Sequence, residues 1–182
     1  METTLEILKY TIPAIVVLIA CTIIVRRFVL SDVQRTQLEL MKDTQDTTIR
    51  LRLQAYERLA LFVERLDPRQ LLTRVYQSGI SVGEFHQLLL ITIRTEFEHN
   101  LAQQIYVSKD VWNAVRGIKE QQMNMINNMA QQLPQEASAK ELHKKIVDYL
   151  LTVDGELPTE MALRIINEEA KVVLSYGAIN KS

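Results

Sequence analysis

The sequence predicts an all-α protein: one N-terminal transmembrane helix followed by a cytoplasmic helical bundle of about five to six helices. Three observations lead there. Tyr10 to Val25 reads YTIPAIVVLIACTIIV and carries no charge. Glycine and proline are scarce, 5 and 4 among 182 residues, and no stretch alternates apolar with polar residues over a useful length. Beyond residue 48, apolar residues recur at helical spacing behind capping signals. The boundaries that follow are a leader at 1–9, a span at 10–30, a polar helical stalk at 31–48, a bundle domain at 49–177 and a tail at 178–182.

A spanning helix needs roughly 20 mostly apolar residues. The uncharged run reaches that length if the flanking Lys9 and Arg26 extend toward the interface, and Phe28, Val29 and Leu30 continue it past Arg27. Pro13 fits a first turn, where its missing N–H is an orphan in any case. Arg26 and Arg27 follow the run, whereas the leader holds Glu2, Glu6 and Lys9. The positive-inside rule then puts the N-terminus outside and the C-terminal domain in the cytoplasm. A cleaved secretory signal fits poorly, because the positive charge lies on the wrong flank. Leu18-Ile19-Ala20-Cys21 has the form of a lipobox, so a lipoprotein acylated at Cys21 is an alternative; against it, the apolar run continues through Val25.

The stalk is mostly polar, and Lys42 to Thr48 (KDTQDTT) is the weakest helical sequence, a possible hinge. From Ile49, the residues Ile49, Tyr56 and Val63 recur every seven positions with Leu59 and Leu66 between them, and Arg52 breaks the seam. Asp67-Pro68 ends that helix and opens a short one over 69–77, closed by Ser78-Gly79. Ser81 and Glu84 have capping-box spacing and open a helix expected to run through Ile105, with Phe85, Leu89, Ile93, Phe97 and Leu101 on one face. Ser108 caps the next helix, whose apolar face holds Val111, Val115, Ile118, Met125, Ile126 and Met129. Pro134 to Ala137 is a linker. Ser138 and Glu141 form a second capping box, and the helix to Val153 packs through Leu142, Ile146, Tyr149 and Leu150. Leu157-Pro158 starts a last helix with Ala162, Ile165, Ile166, Val173 and Leu174 on its apolar face and an end at Gly177.

Lysine and arginine total 21 against 22 acidic residues, interspersed, so no basic tract points to nucleic acid. One cysteine excludes an intrachain disulfide and a cysteine-based zinc site. No Ser/His/Asp set, glycine-rich phosphate loop or H-E-x-x-H is present, so no catalytic residue and no cofactor is assigned. Glu96 and His99 have the E-x-x-H spacing of di-iron bundles, but that chemistry needs a second such motif and two more inward glutamates. Glu84, Glu120 and Glu141-Leu142-His143 do not complete the set, and the plainer reading is a polar edge beside the Phe97 stripe in which Glu98 or His99 bonds a neighbouring helix; a buried Glu96 or His99 paired with Arg94, Arg116 or Gln103 would be a structural network. His86, beside a capping box, reads as exposed or capping; His143 belongs to a charged patch with Lys140, Lys144 and Lys145. Trp112 reads as an anchor between helices, and Met123, Met125 and Met129 as core filling or an adaptable partner face.

The densest polar and aromatic stretch is EFEHNLAQQIYVSKDVW, Glu96 to Trp112. It resembles the most recognisable part of a family of uncharacterised single-span proteins of Bacteroidota-type bacteria, which share a short N-terminus, one span, an arginine pair and a helical domain. The resemblance covers nearly the whole chain. It implies an inner-membrane setting and an all-helical domain, and no activity or site residue comes with it.

The function expected is a non-enzymatic membrane-anchored adaptor or assembly subunit, in contact with the bilayer and with a membrane-complex protein or its own copies. The contact residues expected are Tyr106, Trp112, Met123, Met125 and Met129. The alternative from another class is a small membrane-bound metal-dependent enzyme using Glu96 and His99.

Overall fold

The computed structural model describes residues 2–153 and 155–179, with side chains described at 15–26, 37, 39–153 and 155–175. Every regular element among them is helical: α1 (Glu2–Leu66), α2 (Pro68–Val75), α3 (Val82–Glu98), a 3-10 turn (Leu101–Ile105), α4 (Lys109–Gln131), α5 (Ala139–Thr152) and α6 (Pro158–Ile179). The chain divides into two compact units, residues 1–47 and 48–182.

In the first unit the backbone is helical from Glu2 onward. The weak sequence Lys42 to Thr48 is helical as well. Thr44 and Thr47 donate their hydroxyls to the carbonyls of Leu40 and Asp43, each at 2.8 Å, so these β-branched polar residues bond within the helix instead of competing with it. Of the expected span, Lys9, residues 10–14, Arg27 and residues 28–30 have side chains outside the described residues, as do the leader and the tail. Its described part, 15–26, is shorter than a span, and among the described residues no helix is long and apolar enough to cross a membrane.

The second unit holds the core. The last turns of α1 contribute Ala55, Tyr56, Leu59, Phe62, Val63 and Leu66, all buried. Asp67 caps α2 by accepting the Arg69 N–H at 2.9 Å, and Pro68 takes the first helical position, where no donor is needed. The central helix is α4, which packs against α3, α5 and α6. Its buried residues Val111, Val115, Ile118, Gln122, Ile126 and Met129 follow the three-and-four spacing of one helix face. Phe85, Leu89 and Ile93 of α3 are fully buried, each worth about 1.5–3 kcal/mol of hydrophobic stabilisation.

Ser81 and Ser138, the N-cap residues of α3 and α5, lie opposite one another. Val82 donates to the Ala137 carbonyl at 2.9 Å and Ala139 to the Ile80 carbonyl at 3.1 Å. The carboxylate of Glu84 accepts from the Ser81 N–H at 2.8 Å, and that of Glu141 from the Ser138 N–H at 2.7 Å. The two helix starts are therefore tied to each other as well as capped.

Three expectations are corrected. α3 ends at Glu98, not Ile105: Asn100 turns its side-chain amide back onto the Glu96 carbonyl at 2.7 Å, and the chain tightens into the 3-10 turn. Leu101 is consequently off the α3 face and 40% exposed. Tyr149, expected to pack, is 45% exposed, while Leu142, Ile146 and Leu150 carry the α5 face. Gly177 lies within α6, which continues to Ile179; one helical glycine costs about 1 kcal/mol against alanine and does not by itself stop a helix.

Candidate functional site

Two helices carry a charged residue on an otherwise apolar stripe. On α1 the seam from Ile49 to Leu66 contains Arg52, and on α6 Glu169 falls between Ile166 and Val173. The fold brings these two together. Tyr56, almost wholly buried, donates its hydroxyl to Glu169 Oε1 at 2.5 Å. The Ser108 N–H donates to the same oxygen at 3.1 Å, and the Ser108 hydroxyl to Oε2. Arg52 stands 3.7 Å from Glu169, donates to the Tyr56 hydroxyl at 3.0 Å and reaches the Tyr106 carbonyl at 3.1 Å. Ser108 also accepts from the Val111 N–H at 3.2 Å, so the N-cap of α4 is part of the cluster.

Burial alone would push the Glu169 carboxyl up. The Ser108 hydroxyl, the Tyr56 hydroxyl, the Ser108 N–H and the Arg52 charge outweigh it and hold the carboxyl below the usual glutamate range. Burial, and then the bond to Glu169, push the Tyr56 phenol up. A carboxylate with its oxygens already engaged is a clasp. It fastens α6 to α1 and to the start of α4.

Beside the clasp lies an aromatic stack. Trp112 is half-buried and stacks on Phe97 with ring centroids 5.5 Å apart; Phe97 meets Phe62 at 6.0 Å, and the Lys119 ammonium sits 4.8 Å from the Phe97 centroid. Tyr106 is half-buried, next to Ile105, which is 72% exposed. Met123 and Met129 are buried in the core, whereas Met125 is only partly covered. Of the five expected contact residues, Tyr106, Trp112 and Met125 thus retain accessible surface.

One family profile matches the chain, and the match runs over residues 2–173. The chain belongs to DUF7935, a family of unknown function. No curated protein matches it. No solved structure matches it either.

In this DUF7935 chain, Glu96 pairs with Arg65 at 3.2 Å and with Arg74 at 3.6 Å, not with Arg94, Arg116 or Gln103. His99 is exposed. Among the described residues, no three His, Cys, Asp or Glu side chains gather as a metal site would require. His86 is half-buried rather than exposed, its Nε2 2.7 Å from Asn127 Oδ1. His143 packs its ring against Tyr76 at 5.2 Å. Glu169 is the residue that the sequence reading passed over. Its signal was present: a charge on an apolar stripe needs a partner of opposite sign on a facing stripe, and Arg52 was the matching break.

Proposed function

We propose that this protein is a single-pass, membrane-anchored helical adaptor or assembly subunit that acts by protein–protein contact at the cytoplasmic face of a bacterial inner membrane, in the manner expected of the Bacteroidota-type single-span proteins it resembles. One observation carries the reading. Ile15, Val16, Val17, Leu18, Ile19, Ile23, Ile24 and Val25 are each more than half exposed. Five consecutive helical residues point in all directions, so this is an apolar surface all the way round and not a stripe that could fold onto a core. Such a surface needs an apolar surrounding, which a bilayer supplies.

The bundle favours contact over chemistry. Its central carboxylate, Glu169, is held by Ser108, Tyr56 and Arg52, and Glu96 is engaged by two arginines. The contact region is assigned to the corner between α3 and α4, at Tyr106 and Trp112, with the exposed Ile105 beside them and the uncovered part of Met125 further along α4. Confinement to the bilayer raises the effective concentration of this corner for membrane-bound partners.

The test is to isolate native membranes, wash them with alkaline carbonate, and purify the protein in mild detergent. The expected result is a protein retained in the washed membranes that co-purifies stoichiometrically with a partner or with its own copies, and loses that association in Ile105→Glu. A protein released by the wash, or one that stays a lone monomer, overturns the proposal.

A further inference from the structure

We infer that α4 is the interface of a symmetric dimer, in which its exposed stripe lies antiparallel against the same stripe of a second copy. The inference stands on this face alone, apart from the corner at Ile105 that the adaptor reading uses. Ala114, Gly117, Gln121, Met125, Asn128 and Gln132 recur three and four apart, so they share one side of α4. Each keeps accessible surface, and none carries a charge. Three open hollows follow this stripe and run into one another. The first, of 270 Å³, lies between α4 and α6; it shares Gln121, Glu156 and Pro158 with the second, which shares Met125 and Tyr149 with the third, between α4 and α5. The result is a groove along α4 walled by α6 at one end and α5 at the other.

The groove is complementary to itself. Its first hollow is apolar, with Ala114, Gly117, Met161, Ala162 and Ile165 in its lining, and a Cβ at Gly117 would meet no atom within 4 Å. Eight residues on, Met125 is only partly covered and Tyr149 is 45% exposed. A twofold axis through Gln121 sets Gly117 opposite Met125, so each copy's methionine fills the other's hollow. The same axis sets Ala114 opposite Asn128, and Gln121 opposite itself, where two amides can bond to each other.

The charges agree with that register. Lys145 lines the third hollow beside Asn128 and Gln132. The axis sets Gln132 opposite Asp110, which is exposed in the first turn of α4, and so brings Lys145 near the second copy's Asp110. Neither residue belongs to an ion pair among the described residues. Glu156, which lines two of the hollows, is already held by Arg164 through two bonds of 3.2 Å. From residue 110 to 132 the strip is about 33 Å long, and two helix spacings make it about 18 Å wide. That covers about 600 Å² on each copy, the lower end of what a specific interface needs, so the dimer is reversible and forms with rising concentration.

The experiment is sedimentation of the full-length protein in mild detergent over a range of concentrations. The native chain is expected to pass from monomer to dimer. Gly117→Leu fills the hollow without meeting a neighbour and improves helix propensity, so it is expected to melt no lower than the native protein. It should nonetheless weaken the dimer by about a hundredfold, because the axis applies the block twice. Lys145→Glu is expected to weaken the dimer and Lys145→Glu with Asp110→Lys to restore it, whereas Ile105→Glu leaves it in place. In a Cys21→Ser background, a short bismaleimide should join two copies through Gln121→Cys but not through Arg116→Cys, on the other side of α4; this decides the register however Gly117→Leu folds. A native chain that stays monomeric, a dimer indifferent to Gly117→Leu, or equal cross-linking at both positions overturns the proposal. A dimer lost in Ile105→Glu and kept in Gly117→Leu overturns it too, and moves the copies to the corner of the adaptor reading.

Discussion

Glu169 accepts hydrogen bonds from Ser108 and Tyr56 and faces the charge of Arg52, so its carboxylate is worth more to the folded chain than a surface ion pair. Glu169→Gln keeps the shape but turns an amide N–H₂ toward those donors. It is expected to lower the unfolding free energy by about 2 kcal/mol, read from urea melts at neutral pH. The pH dependence follows from the direction of the shift. The carboxyl is held below its ordinary value of 4.5, so its contribution is complete above that value and is lost as pH falls through the lower folded one. Glu84 and Glu141, lowered by the N–H groups and hydroxyls of Ser81 and Ser138, act in the same direction. Glu169→Gln should therefore flatten part of the acid limb of a stability profile while leaving these two contributions in place; an unchanged limb would remove Glu169 from the account. Tyr56 has the opposite sign. Its phenol is raised from an ordinary value of 10.0, so its contribution is complete below that value and is lost as pH rises through the folded one. Tyr56→Phe should abolish that alkaline loss, followed through tyrosinate absorbance alongside the melt.

At the scale of elements, the helix starts were legible because capping is local. Ser81 with Glu84, Ser108, Ser138 with Glu141, and Asp67-Pro68 each mark a boundary within four residues of sequence, and the structure places helix starts at all four. Helix ends were harder. The sequence carries an apolar stripe through Leu101, but Asn100 bonds to the Glu96 carbonyl and α3 stops two residues earlier, a competition that periodicity does not register. The pairing of the two capped starts was not legible either, because the hydrogen bonds between Val82 and Ala137 and between Ala139 and Ile80 join segments more than fifty positions apart. Ser81→Ala removes the hydroxyl that accepts the Glu84 N–H at 3.2 Å and is expected to cost about 1 kcal/mol, seen as a lower urea midpoint with an unchanged slope. A changed slope would mean that the tie between the two helix starts had opened and altered the native surface.

For the molecule as a whole, every hydrophobic residue of the core cluster lies at or beyond Ile49. A fragment of residues 48–182 is therefore expected to fold cooperatively, to keep the thermal midpoint of the bundle and to remain in the supernatant after high-speed centrifugation, and under the proposed membrane anchor the full chain is expected to sediment with membranes; a fragment that melts without cooperativity would place part of the core's support before residue 48. By itself the sequence determined the helical class, the helix starts and the uncharged apolar run, because spacing, capping and hydropathy act between residues a few positions apart. The tertiary structure alone decided which interruptions of the apolar stripes are answered. Glu169 meets Tyr56 across 113 positions and its charge is matched, while Gln122 is carried into the core with its oxygen unpaired. Whether a buried polar group finds a partner depends on which helix faces it, and packing sets that.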